Sequence, residues 1–276
     1  MKKSVLSMLA VAALVFGMTS CNGAKKTSEE AEKTEEAAVI AGKAPKDLLT
    51  EELKQETIQL LKDMPDSDIP YRLSTGEVKV NVGDIKYMMP VGKAAELSTP
   101  TQKARALGMY MADYNVLKAI GKPTAEVEGV IAKLATDLNV SFVLDILKEQ
   151  APKDATKEQL QAFLNAQEDK ILEKMAAENK VDAEVEMLGA ASAEYACLIA
   201  NPTLVVEGDA TSAGLSTNME KRVSMLEEVV ADLAAYYPDL KQLGETIAPL
   251  KEKVASIQSA RAANAEIMGI RDALLK

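Results

Sequence analysis

From Thr50 to the end of the chain, apolar residues return every three or four positions and almost nowhere alternate. That spacing puts them on one side of an α-helix, so the chain must bury helical stripes against one another. Thr50 is placed to cap a first helix over 50–64, with Leu53, Thr57, Leu60, Leu61 and Met64 on one face. Thr99-Pro100 opens a long helix, a hydroxyl cap followed by a proline where no N–H is needed, and Gly121 ends it. Val127, Val130, Ile131, Leu134 and Leu138 mark the next helix, and Val140–Leu147 a short apolar one. Thr156-x-x-Gln159 has the form of a capping box before Leu160, Phe163, Leu164, Ile171, Leu172 and Met175. Asp182 is placed to cap a helix carrying Val185, Leu188, Ser192, Tyr195 and Ile199. Two further seams run from Met219 to Tyr237 and from Leu240 to Ile257, the second interrupted by Pro249, which should kink or restart it.

Two stretches break the pattern. Pro65–Pro90 holds Gly76, Gly83 and a short alternation of Val78, Val80 and Val82, which reads as a hairpin arm or an extended connection. Asn201–Thr217 is rich in Gly, Ser and Thr and reads as irregular. Elsewhere the connections are short, so the expected fold is all-α: an antiparallel bundle of about seven to nine helices over 45–276.

The first 44 residues are of another kind. Lys2 and Lys3, the apolar run Val5–Met18 and the small residues before Cys21 have the form of a secretory signal peptide over 1–20. With cysteine following Met18-Thr19-Ser20, the segment resembles a bacterial lipobox, in which the thiol is acylated and becomes the mature N terminus. Residues 21–44 then form a lipidated Cys21 and a flexible Glu- and Lys-rich tether, with an end-to-end distance of about 25–30 Å. Losing Lys2 and Lys3 takes the net charge from −10 to −12. An acidic chain without a basic cluster speaks against nucleic acid as a partner and against a polybasic membrane contact, leaving the lipid as the link to the membrane.

Chemistry is narrowed by what the sequence lacks. There is no histidine, and with Cys21 acylated, Cys197 is the remaining thiol, in an apolar helical context that marks it as a small buried hydrophobe. Common zinc sites, Ser-His and Cys-His hydrolases and carboxylate–His di-iron sites are thereby excluded. No Walker loop, G-x-G-x-x-G turn or EF-hand loop is present. No cofactor and no metal is expected, and the chain reads as a non-enzyme.

Two helices share a pattern at an offset of 81 residues, L-G-x-x-x-A-[D/E]-Y-x-x-L: Leu107 to Leu117 and Leu188 to Leu198. The match suggests an internal duplication. On a helical wheel Asp113 falls inside the apolar arc set by Tyr110, and Glu194 at the edge of its own. A buried charge must be paired, hydrogen-bonded or neutralised. One expectation is therefore a structural bond to a Tyr, to a backbone N–H or to a cation such as Arg105. The other is a polar pocket lined by Asp113, Glu194, Tyr110, Tyr114 and Tyr195.

The stretch Lys103-x-Arg105-Ala106-Leu107-Gly108-x-Tyr110-x-Ala112-Asp113 resembles the A-L-x-L-G-x-Y-x-A-D helix of all-helical lipoproteins of the Bacteroidota. Leu188-Gly189 with Glu194 is similar to their later G-G-W-I-E-G-L-Y segment, departing from it at Ala190, Ala191 and Tyr195, and Ile270-Arg271 resembles their final helix. The likeness covers most of 50–276 and implies an all-helical fold and an envelope location, without a mechanism. The expected role is a lipid-anchored outer-membrane protein that binds or scaffolds a protein or peptide partner, on the periplasmic or the surface side. The alternative is a solute binder with its pocket near Asp113 and Glu194, and a third reading is a His-independent enzyme using those acids.

Overall fold

The computed structural model describes residues 49–65, 68–80 and 87–276; Cys21 and the 21–44 tether lie outside them, as does Val82. Twelve helices and one pair of two-residue strands make up the described residues. Helix α1 (Glu51–Asp63) starts at Thr50, whose hydroxyl accepts from Leu53 N at 3.2 Å. Helix α2 (Ile69–Thr75) and strand β1 (Val78–Lys79) occupy the first stretch expected to be irregular. A 3₁₀ turn (Val91–Glu96) leads into α3 (Pro100–Ala119), α4 (Ala125–Asp137) and α5 (Phe142–Leu147). Next come α6 (Lys157–Ala177) and α7 (Val181–Ala200), then strand β2 (Val205–Val206) and α8 (Asp209–Leu233). The chain closes with α9 (Asp239–Ile247), α10 (Leu250–Lys253), α11 (Ile257–Ala262) and α12 (Asn264–Ala273).

The boundaries follow local chemistry. Complete capping boxes, Thr99 with Gln102 and Thr156 with Gln159, begin α3 and α6. Gly121, at φ +67°, takes the left-handed conformation that turns the chain after α3. Pro249 restarts the last seam at α10, and the seam ends at Ile257, the first residue of α11. Asp182 does not cap α7. Lys180 precedes the helix without a side-chain cap, and Asp182 lies in the first turn, where its charge suits the positive end of the dipole.

Both irregular stretches are more ordered than their composition suggests, and each orders the other. Val78 pairs with Val206 and Lys79 with Val205, antiparallel, so β1 finds its partner far along the chain rather than in a local hairpin. Helix α8 begins at Asp209, well inside the Gly/Ser/Thr-rich stretch. Its weak formers are held by tertiary contact. Asn218 donates to Asp68 at 3.1 Å, Asp68 is held by Arg72 at 2.6 Å, and a Cβ on Gly214 would lie 3.1 Å from the Arg72 guanidinium. Packing of this kind overrides intrinsic propensity.

At the centre, α3 packs lengthwise against α7, with α4 beside α3 and with α8, α9, α11 and α12 around α7. Residue 105 meets residue 186, and eight positions on, residue 113 meets residue 194. The two repeat helices therefore run parallel and in register at the repeat offset, a departure from purely antiparallel packing. No helix among the described residues is long and apolar enough to cross a membrane.

Candidate functional site

Close approach of α3 and α7 sets everything around them. A Cβ added to Gly108 would lie 2.0 Å from the Met187 carbonyl oxygen, so glycine is what lets the backbones touch. Helix α7 is enclosed by neighbours on nearly every side, and three carboxyls are buried with it: Glu184, Glu186 and Glu194.

Glu186 is satisfied. Arg105 grips it with a two-pronged contact, Nε to Oε2 at 2.6 Å and Nη2 to Oε1 at 3.3 Å. The remaining guanidinium donors reach Leu274 O, Gln242 Oε1 and Asp239 O, tying α3 to α9 and the C terminus. Arg105 is thus committed to Glu186 and does not serve Asp113.

Asp113 and Glu194 do come together, and they are sealed. Asp113 Oδ2 accepts from Met89 N at 2.9 Å, and Arg271 Nη1 lies 3.5 Å from Glu194 Oε1. Beyond the approach of the two acids to each other and of Arg271 to Glu194, Asp113 Oδ1, both Glu194 oxygens and the Tyr87 hydroxyl have no hydrogen-bond partner. Burial pushes both carboxyls upward, and Asp113's charge raises Glu194 further, against the pull of Arg271. Two carboxyls against one guanidinium leave one negative charge too many, so the pair holds a shared proton at neutral pH. Tyr110 donates to Pro90 O at 2.8 Å and Tyr114 to Leu147 O at 3.3 Å, so both anchor neighbouring segments. Burial moves the Tyr110 phenol up to about 12 and drives the Cys197 thiol far above its usual range.

The cleft lies on the other side of the same helices, between α6 and the α3–α7 pair. Its walls are mainly aliphatic, Met111, Leu147, Leu164, Ile171, Met187 and Leu188 among them, and it encloses ≈ 60 Å³ of water-sized space. Neither Asp113 nor Glu194 reaches it, and neither do Tyr110 and Tyr114; of the residues expected to line a pocket, Tyr195 does. Its charged, polar end is formed by Glu184, Glu168 and Arg222, and the amides of Asn115, Gln161, Asn165 and Gln167 also line the cleft. Arg222 donates through Nε to Ser192 Oγ at 3.0 Å and through Nη1 to Pro65 O at 2.9 Å, and it stands 3.8 Å from Glu168 Oε2. Glu184 Oε2 is buried and has no partner. Burial, helped by Glu168 and opposed by Arg222, raises the Glu184 carboxyl to about 8. At neutral pH Glu184 is mostly a neutral acid.

No protein-family model, curated protein or solved structure matches this chain.

A roomier hollow of ≈ 260 Å³ beside Tyr236, Tyr237 and Pro238 also contains acids, but they are engaged. Glu186 is held by Arg105, and Asp239 Oδ2 accepts from Thr101 at 2.6 Å. Among the described residues, no three His, Cys, Asp or Glu side chains converge as a metal-ligand set. Sequence reasoning passed over Glu184 and Arg222. A wheel assumes one solvated face, and on a helix enclosed all round that assumption hides acids off the main stripe. The available signal was the spacing Glu184, Leu188, Ala191, Tyr195, which puts Glu184 on a second apolar stripe.

Proposed function

We propose that this chain is a lipid-anchored, non-catalytic binding protein of the bacterial cell envelope, and that a small ligand occupies the cleft between α6 and the α3–α7 pair. The anchor rests on the lipobox-like segment ending at Cys21, and the envelope location on that segment and on the resemblance to helical lipoproteins of the Bacteroidota. The observation that carries the binding role is the buried, unpartnered Glu184 Oε2 at the charged end of a mainly apolar cleft. A buried polar atom without a partner costs about 1–3 kcal/mol, a cost that a ligand's complementary group removes.

A small ligand is favoured over a protein partner because, among the described residues, Val91 and Val205 are the large hydrophobics that stand exposed, and two isolated side chains do not make a docking face. Binding is favoured over turnover because the described lining offers no Ser, Thr, Cys, Lys or His nucleophile. Two experiments test the proposal. Labelled palmitate should enter the wild-type chain and not Cys21→Ala, which should leave the membrane fraction; equal labelling removes the anchor. Native mass spectrometry of chain purified from envelopes should find a small molecule on the wild type that is lost in Ala191→Phe, which fills the cleft. Identical spectra remove the cleft as the site.

A further inference from the structure

Resting on the cleft reading above, we propose that the ligand is a primary ammonium compound with an aliphatic body, its ammonium group seated on Glu184 and its carbon chain lying along α6. The charges at the polar end leave a place for it. Arg222 is one cation facing two carboxyls, Glu168 and Glu184, and its Nε and Nη1 bind Ser192 Oγ and Pro65 O, with Nη1 also 3.8 Å from Glu168. Glu184 is therefore the acid without a counter-charge, and its Oε2 is the acceptor without a donor. A ligand ammonium supplies both, one positive charge and three N–H donors in a compact head. A carboxylate ligand would instead add a third acid to this end.

The walls decide the rest. Met111, Leu147, Leu164, Ile171, Met187 and Leu188 offer an unbranched or lightly branched carbon chain a dry surface. Tyr195 is the lone aromatic residue of the lining, so there is no aromatic cage of the kind that recognises quaternary ammonium groups. An inorganic cation would leave the aliphatic wall without a use. Metal coordination also favours several converging oxygens, whereas Glu184 presents a single unpartnered one.

The proposal carries a proton balance. Glu184 holds a proton when the cleft is empty at neutral pH, because its carboxyl titrates near 8. The amine arrives already protonated, Glu184 ionises to meet it, and the displaced proton goes to the buffer. No covalent bond is made or broken.

Isothermal titration of the full-length chain in a non-ionic detergent, with n-hexylamine, 1-hexanol and hexanoate as probes, tests it. Titrations at pH 7 in buffers of different ionisation enthalpy read the protons released. Hexylamine should bind at least tenfold tighter than hexanol and hexanoate and release close to one proton per molecule bound. Glu184→Gln should weaken hexylamine at least tenfold and abolish the release. The proton count on the wild-type chain stands even if that variant folds poorly. Hexanol or hexanoate binding as well as hexylamine, or hexylamine binding without proton release, overturns the ammonium assignment while the cleft remains a binding site. No binding of any probe also overturns the assignment, and the mass-spectrometric comparison with Ala191→Phe then decides separately whether the cleft reading stands.

Discussion

Glu184 and Glu186 sit two residues apart on α7, equally shut off from solvent at 3% and 4% exposure, and opposite in circumstance. Glu186 faces α3, where Arg105 meets both its oxygens at the centre of a network reaching α9 and the C terminus. Glu184 faces α6 across the cleft, where Arg222 is committed elsewhere and one carboxyl oxygen has nothing to accept. Burial alone therefore does not distinguish a structural acid from a binding one. What distinguishes them is whether the fold has already supplied the counter-charge.

The sharpest way to break that comparison is to remove the structural acid. Glu186→Ala leaves Arg105 charged and buried without its partner, which should cost about 3–5 kcal/mol and lower the melting temperature by roughly 10 °C. A loss below ~1 kcal/mol by chemical denaturation would show that Arg105 is held by carbonyls alone. The next largest effect should come from the contact that sets both faces. Gly108→Ala drives a methyl into the Met187 carbonyl and forces α3 and α7 apart, at about 1–3 kcal/mol. Wild-type stability for this variant would mean that the two helices slide freely.

Glu184→Gln sharpens the comparison through pH. The folded carboxyl titrates near 8, above the ordinary value of about 4.3, so between those limits the folded state keeps a proton that the unfolded state has lost. Its contribution is fully present below about pH 4 and declines as pH rises towards 8, by up to about 1.4 kcal/mol per pH unit. Glutamine does not titrate, so the variant should gain on the wild type across pH 5–8 and the gap should then level off. Parallel denaturation curves over that range would refute the buried neutral acid. Glu194→Gln should have the smallest effect. It replaces the shared proton with permanent N–H donors and leaves Asp113 balanced by Arg271, so stability at pH 7 should change by less than about 1 kcal/mol. As pH rises into the alkaline range the variant should gain on the wild type, whose pair is pressed to give up its proton there. A large loss at pH 7 would mean that both acids are charged in the folded protein.

Much of the fold was legible because helices announce themselves locally. Thr50, Thr99 with Gln102, Thr156 with Gln159 and Gly121 act within a turn of where they stand, and the structure uses each at its expected end. The failures involve long-range partners. Asp182 had the right residue type for a cap, yet the helix starts too early for it. Val78 looked like a hairpin arm and pairs with Val206, while Asp209 to Thr217 looked irregular and is helical because Arg72 and Asn218 fasten that region to the first half of the chain.

The candidate site divides in the same way. The repeat at offset 81 and the wheel position of Asp113 are properties of the string of residues, and they singled out Asp113 and Glu194 as acids needing an answer. Which answer they received was a tertiary matter: Arg271 from the last helix and Met89 from the segment before α3 meet them in a sealed interior.

By itself, then, the sequence determined an acidic, helical chain without histidine chemistry, because composition and periodicity need no knowledge of what packs against what. Only the tertiary structure decided that the two repeat helices run parallel, that Arg105 belongs to Glu186, and that Glu184 is the acid left without a partner beside a cleft. A carboxyl's role depends on the nearest counter-charge and donor, and in this protein those come from residues tens to more than a hundred positions away.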